Sequence, residues 1–289
     1  MGALARQLKA SAPPYGLVPV VTPDPTGEGT GRHTRKRVCS PTATELQPLV
    51  ASDGNRYEWR MPLYQWLLFD ADGTLFDFER AEAAALARAC RQCDLLFGPD
   101  LLTAYRRFNQ EVWQNLEKGL ITPDELKVRR FELLFAETGI SRSPAEFSDI
   151  YLECLGECSD LIDGACEALD ELKRNYRLAI LTNGLQVVQR ARLARSAIRE
   201  YISDIIISEE IGFAKPATEY FNAAFARLGH PAKREVLMIG DNWLSDIQGA
   251  ARYGLDTCWF NPGHQPRPDG LDITFEVASL RELTEQLGG

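Results

Sequence analysis

Tyr64-Gln65-Trp66-Leu67-Leu68-Phe69-Asp70-Ala71-Asp72-Gly73-Thr74 passes from a nearly unbroken apolar run straight into two carboxylates and a glycine. Successive apolar residues, rather than alternating ones, suit a strand whose sheet is covered by helices on both faces. Tyr64–Asp70 therefore reads as a buried parallel strand. Similar runs follow at Leu178–Thr182, Ile205–Ser208, Val236–Asp241 and Thr257–Phe260. From Leu178 to Phe260 they alternate with helical stretches, the sequence form of repeated strand–helix–strand units. The fold class is α/β, a doubly wound parallel sheet.

The alternation breaks after Asp77. Glu79–Cys93, Asp100–Glu117, Thr122–Thr138 and Pro144–Cys158 read as consecutive amphipathic helices, with Pro123 and Pro144 in first-turn positions and Ser143 as an N-cap. This predicts a catalytic core of residues 61–78 and 160–289, with an all-helical cap inserted at 79–159.

Composition narrows the function classes. The chain is 45% hydrophobic and 25% charged, ordinary for a globular protein. No stretch approaches the ~18 consecutive apolar residues of a membrane span. A net charge of −9 argues against a nucleic-acid polymer as partner. Seven cysteines and three scattered histidines (His33, His230, His264) repeat no zinc spacing. The expectation is reduced thiols in the cytoplasm. Cys90-x-x-Cys93 lies in a helix outside any thioredoxin-like context, and Cys154 and Cys158 share a helix face; all four read as small core residues.

Residues 1–60 differ in character. They hold 7 of the 16 prolines, no Phe and a net charge of +3, with neither helical nor strand periodicity. They read as a disordered extension, or as sequence upstream of a true start at Met61. Arg6, Lys9 and Ser11, with no acid before Asp24, also fit an organellar transit peptide.

Ligands of open α/β sheets bind at the carboxyl ends of strands. Those ends carry Asp70-Ala71-Asp72-Gly73-Thr74, Thr182-Asn183-Gly184 and Gly240-Asp241 with Asp246 five residues on; Lys215-Pro216 precedes a helix. Each residue alone reads as a cap, a turn or a solvated charge. Four such features in order at successive strand ends do not. Clustered carboxylates call for a cation, and oxygen ligands without Cys or His favour Mg²⁺. Asp70 and Asp72, two apart in extended chain, project to one side. One can attack phosphorus while the other handles the leaving-group proton. A carboxylate facing a phosphate dianion at ~4 Å meets roughly 8 kcal/mol of repulsion at an effective dielectric near 20. Lys215 and Mg²⁺ together can offset that. Thr182 and a backbone N–H near Asn183 would hold phosphoryl oxygens.

Asp70-x-Asp72-Gly73-Thr74-Leu75, Thr182-Asn183-Gly184, Lys215-Pro216 and Gly240-Asp241-x4-Asp246 resemble the four motifs of the haloacid dehalogenase superfamily, across residues 64–287. The resemblance implies Asp70 as the nucleophile that forms an aspartyl-phosphate and Asp72 as general acid/base. It implies Mg²⁺ held by Asp70, the main-chain carbonyl of Asp72 and Asp241, with Asp246 as a ligand or just behind. Dehalogenases and phosphonatases of the superfamily lack the second carboxylate, so Asp72 points to phosphate esters.

Phe69-Asp70-Ala71-Asp72, Ile207-Ser208-Glu209-Glu210-Ile211-Gly212, Thr257-Cys258-Trp259 and the run Asn109 … Trp113 … Gly119-x-Ile121-Thr122 … Arg130-Phe131 resemble the noncanonical pyrimidine 5′-nucleotidases. Gly73 stands where some of those members carry Glu. The implied activity is hydrolysis of pyrimidine nucleoside 5′-monophosphates by a monomer or homodimer. A phosphatase for a sugar phosphate, phosphoglycolate or an acylneuraminate 9-phosphate, and a sugar phosphomutase, stay open; the intact motifs speak against a catalytically silent binding protein. Among Phe76, Phe78, Tyr105, Phe108 and Trp113, Phe76 and Trp113 are assigned to the substrate, beside Gly73 and Asn183 at the phosphate, and the rest to packing. Of Arg129 and Arg130, at least one is expected on a solvated helix face.

Overall fold

The computed structural model describes residues 64–288. The expectations for residues 1–60 and for Met61 lie outside them.

Six parallel strands form one sheet in the order β3-β2-β1-β4-β5-β6. They are β1 (Trp66–Phe69), β2 (Arg177–Thr182), β3 (Ile202–Ile207), β4 (Val236–Gly240), β5 (Asp256–Phe260) and β6 (Phe275–Val277). Phe69 pairs in register with Ile180 on one side and Ile239 on the other. The chain winds outward from β1 in both directions, so the strand order reverses beside the carboxyl end of β1. A crevice opens at such a switch point.

Period-two alternation divides the strand residues between two cores. Leu67, Phe69, Leu178, Ile180, Leu237 and Ile239 pack with α5 (Ala165–Leu172) and α10 (Leu280–Gln286). Trp66, Leu68, Ala179, Leu181, Val236 and Met238 pack with α8 (Thr218–Arg227) and α9 (Gly249–Tyr253). The other helices of the sheet region are α6 (Gln186–Arg195) and the single turn α7 (Ser208–Ile211).

The strands beside the switch point fall where the apolar runs place them, and the edges do not. β3 begins at Ile202, three residues earlier than expected, because exposed Ser203 and the Arg227-paired Asp204 interrupt its apolar pattern. β6 is three residues long, with half-buried Phe275, exposed Glu276 and buried Val277. That is too short for periodicity to register. Short, charged edges limit pairing with other chains.

Between β1 and β2 lie α1 (Phe78–Gln92), α2 (Pro99–Glu117), α3 (Pro123–Thr138) and α4 (Pro144–Glu157). Helix α3 starts with a complete capping box: Thr122 accepts from the Glu125 N–H, and the Glu125 carboxylate accepts from the Thr122 N–H. Ser143 caps α4 as expected. Phe131 anchors the helical core. Its ring stacks on Tyr105 at 5.7 Å and meets Phe147 edge-on at 5.0 Å. Burying such a ring contributes about 1.5–3 kcal/mol. Leu185, just before α6, and Val188 within it join the same core, so the helices rest on the segment that follows β2. Cys90, Cys93, Cys154 and Cys158 are buried free thiols there.

Candidate active site

Asp70 follows β1, Thr182 ends β2 and Asp241 follows β4. Parallel pairing alone brings these three to one rim. Lys215 arrives from the loop before α8, held there by Asn183. The Asn183 amide oxygen accepts from the Lys215 N–H at 2.8 Å, and its Nδ2 donates to the Lys215 carbonyl at 2.9 Å. Both ends of the Asn183 side chain are thus engaged, which leaves its backbone to face a ligand. Ser208 Oγ ties down the Asn183 carbonyl at 3.2 Å.

The Lys215 ammonium is buried and makes three short contacts: Asp70 Oδ1 at 2.6 Å, Asp246 Oδ1 at 2.7 Å and the Leu181 carbonyl at 2.6 Å. Burial opposes its charge, but Asp246 and Asp70 outweigh that and hold its pKa well above the ordinary lysine value. Asp246 also accepts from the Asn242 N–H and from Ser245 Oγ, so its carboxylate is largely engaged in placing Lys215. Asp241 is positioned by three contacts from two residues, Thr74 and Trp259. Its N–H donates to Thr74 Oγ1 at 3.1 Å, its Oδ1 lies 3.2 Å from the same hydroxyl, and its carbonyl accepts from Trp259 Nε1 at 3.0 Å.

Ligand oxygens of Asp70, Asp241 and Asp246 lie within 4.8 Å of one another. Three carboxylates against one ammonium leave an excess of negative charge in a poorly solvated place. Burial, then Asp246, pushes the Asp241 pKa up to about 7, and burial raises Asp70 well above the carboxylate range despite Lys215. The all-oxygen donor set fits a hard divalent cation, Mg²⁺ above a softer metal. Gly73 keeps the approach open. Its φ is +86°, and a Cβ there would stand 2.5 Å from Asp241 Oδ2.

Asp72 lines the same cleft but is not part of this acidic cluster. Its carboxylate accepts from Gln189 Nε2 at 2.5 Å and pairs with Arg192 Nη1. Both donors come from the buried face of α6, one turn apart. Arg192 further donates to the Cys158 carbonyl at 2.9 Å, and its guanidinium lies over the Phe76 ring at 4.4 Å. Gly184 makes room for this clamp, since a Cβ there would sit 2.2 Å from Gln189 Nε2. Thr182 Oγ1 accepts from the Gly184 N–H at 3.0 Å, which leaves its own O–H to donate.

A cleft of about 240 Å³ runs from this rim to a wall made by α1 and α2, where Phe78, Asn109 and Trp113 line it. Trp113 thus lies at the cleft as expected. Phe76 does not, and this corrects the sequence reading. It is fully buried in the sheet core, with its face under Arg192, because the chain turns inward after Gly73. Tyr105 is core, Arg129 is exposed and paired with Glu132, and Arg130 is buried behind Asn109. Sequence reasoning missed Gln189 and Arg192. Two polar residues three apart on an otherwise ordinary amphipathic helix give no signal until their partner is known.

The sheet order, the acid–ammonium rim and the helical block after β1 together define a haloacid dehalogenase-like hydrolase. Residues 64–254 match that family, and the chain belongs to it. The chain is 34% identical over 224 residues to the pyrimidine 5′-nucleotidase YjjG of Escherichia coli (strain K12), covering 78% of this chain and 98% of that one. It is 33% identical over 225 residues to the pyrimidine 5′-nucleotidase PynA of Streptococcus pneumoniae, covering 78% and 95%. The crystal structure of the HAD-hydrolase YfnB of Bacillus subtilis bound to magnesium superposes with a TM-score of 0.73 at 37% identity, over 78% of this chain and 99% of that one. The L-2-haloacid dehalogenase PA0810, at 20% identity and a TM-score of 0.64, shares the fold. No helix among the described residues is long and apolar enough to cross a membrane.

Proposed function

We propose that this hydrolase is a Mg²⁺-dependent phosphatase of small phosphate monoesters, with pyrimidine nucleoside 5′-monophosphates as its substrates. The observation that carries the reading is the rim itself: a buried Asp70 at the cleft, held by Lys215, inside a cluster whose negative charge calls for a divalent ion. Asp70 attacks phosphorus, and the ester P–O bond breaks as an aspartyl-phosphate forms. Asp72 gives a proton to the departing alkoxide. It then takes one from the water that attacks the aspartyl-phosphate, releasing inorganic phosphate and regenerating Asp70. The Thr182 hydroxyl and the backbone N–H of Asn183 donate to phosphoryl oxygens. Lys215 offsets the repulsion between Asp70 and the phosphate. Asp70, the Asp72 carbonyl and Asp241 would hold the ion, with Asp246 behind them fixing Lys215. When bound, Mg²⁺ supplies charge neutralisation at the phosphoryl oxygens.

The nucleotide part of the reading draws on the wall. Phe78 and Trp113 offer aromatic surface to a leaving group, which suits a base better than a bare sugar. The relatives YjjG and PynA are named for that activity. The test is phosphate release by the full chain from a panel of monophosphates, with Mg²⁺ or EDTA. Fastest release from pyrimidine nucleotides, abolished by EDTA, is expected. Higher rates on sugar phosphates would overturn the substrate. Release of no phosphate from any ester would overturn the chemistry.

A further inference from the structure

Arg130 is an expensive residue for the helical wall to keep. Its side chain is buried to 2% exposure, and Nε and Nη2 have no hydrogen-bond partner among the described residues. An unpaired buried cation costs free energy that the rings of Phe131 and Tyr151, 5.1 and 4.9 Å away, offset in part. Its firm hydrogen bond runs from Nη1 to Asn109 Oδ1 at 3.0 Å, with a longer contact to the Tyr105 hydroxyl at 3.5 Å.

That one bond fixes which way the Asn109 amide faces. Guanidinium is a donor only, so the atom of Asn109 that meets it is the oxygen. The amide nitrogen is turned the other way. Asn109 lines the cleft, and its Nδ2 donates to no described residue, nor is it among the dry orphans of the interior. Within the same wall, Phe78 and Trp113 present ring surface.

We propose that Asn109 Nδ2 is a specificity donor for the leaving group, reading an acceptor on the base, and that Arg130 is the positioning residue that holds it in that sense. This rests on the nucleotide reading above. The acceptor is the ring carbonyl beside the glycosidic bond, which uracil, cytosine and thymine all carry. Purines carry a ring nitrogen acceptor on that edge, and guanine adds an exocyclic amine that would face the Asn109 donor. This contact thereby accepts pyrimidines as a class and disfavours guanine.

The experiment compares kcat/KM for uridine monophosphate, its 2-thio analogue, guanosine monophosphate and p-nitrophenyl phosphate, in the full-length wild-type chain and in Asn109→Asp. Aspartate keeps the shape and still pairs with Arg130, but offers the cleft an acceptor. The uridine-to-nitrophenyl ratio is expected to fall about 30-fold, the scale of one lost hydrogen bond plus an unpaired acceptor. A merely structural role would lower both rates together and leave the ratio alone. In the unaltered protein, the 2-thio analogue, a weaker acceptor, is expected to lose several-fold against uridine monophosphate, a difference that vanishes in Asn109→Asp. Arg130→Lys, still donor-only, is expected to keep the preference. A wild-type chain with no preference for uridine monophosphate over p-nitrophenyl phosphate overturns the nucleotide reading and this contact with it. A preference that survives in Asn109→Asp, or indifference to the sulfur in wild type, overturns the contact alone.

Discussion

The rim at the strand ends and the helical wall across the cleft treat their polar groups in opposite ways. At the rim, Lys215 has three partners, Asp246 has three, and Asn183 uses both ends of its amide. In the wall, Asn109 engages only its amide oxygen, with Arg130, and its Nδ2 donates to no described residue. A fully satisfied network is rigid whatever ligand arrives, which suits groups that must meet every substrate at the same phosphorus. A donor that lines the cleft without a protein partner gains most when a matching ligand comes. Substitutions at the rim should therefore affect all substrates equally, and substitutions at the wall should reorder them.

The largest expected effect is that of Asp70→Asn. It removes the nucleophile, and turnover should fall by about 10⁴-fold or more on every ester. A residual rate within tenfold of wild type in single-turnover phosphate release would break the assignment of the rim to chemistry.

Lys215→Met tests the rim as structure. It leaves Asp70 and Asp246 buried without their cation, and stripping one partner from such a network costs about 3–5 kcal/mol. Urea unfolding in EDTA should register that loss, and Mg²⁺ should return part of it by neutralising the same carboxylates. Unchanged stability in EDTA would mean that the ammonium is not what holds the carboxylates together.

Arg192→Met sits at the seam between the two regions. Asp72 would keep Gln189 and lose its charged partner. A kcat about 10²-fold lower is expected, with KM little changed and the substrate order preserved, because proton transfer serves every leaving group alike. A changed substrate order would move Asp72 and its clamp from the rim's side of the comparison to the wall's.

What could be read in the sequence divides along the same line. Asp70, Thr182 and Asp241 each terminate or directly follow an apolar strand, so strand pairing alone assembles them and the run of residues announces them. Lys215 was legible because it shares a dipeptide with Pro216 ahead of a helix. Gln189 and Arg192 were not, because their function is a contact with a residue more than a hundred positions away. Phe76 misled for a local reason: it lies nearer Asp72 in sequence than Phe78 does, but the turn after Gly73, with the Gly73 N–H donating to the Phe76 carbonyl at 2.9 Å, rotates it into the core. No periodicity distinguishes the two. Strands β3 and β6 blurred because edges carry polar residues that central strands do not.

The smallest effect, and the sharpest one for the comparison, is expected at Trp113. Its half-buried ring lines the cleft without a hydrogen bond to the rim, so Trp113→Ala should leave the chemistry of the strand ends in place. Loss of one aromatic contact with a base is worth about 0.5–1.5 kcal/mol, or roughly two- to tenfold, and it should fall on KM. Glycerol phosphate has no ring to stack, so its kcat/KM supplies the internal control. A nucleotide-to-glycerol ratio that drops within this range would mark the wall as the part that ranks substrates. Equal losses on both esters would mean that Trp113 supports the cleft only as packing, and would leave the wall's selectivity to the hydrogen bond from Asn109.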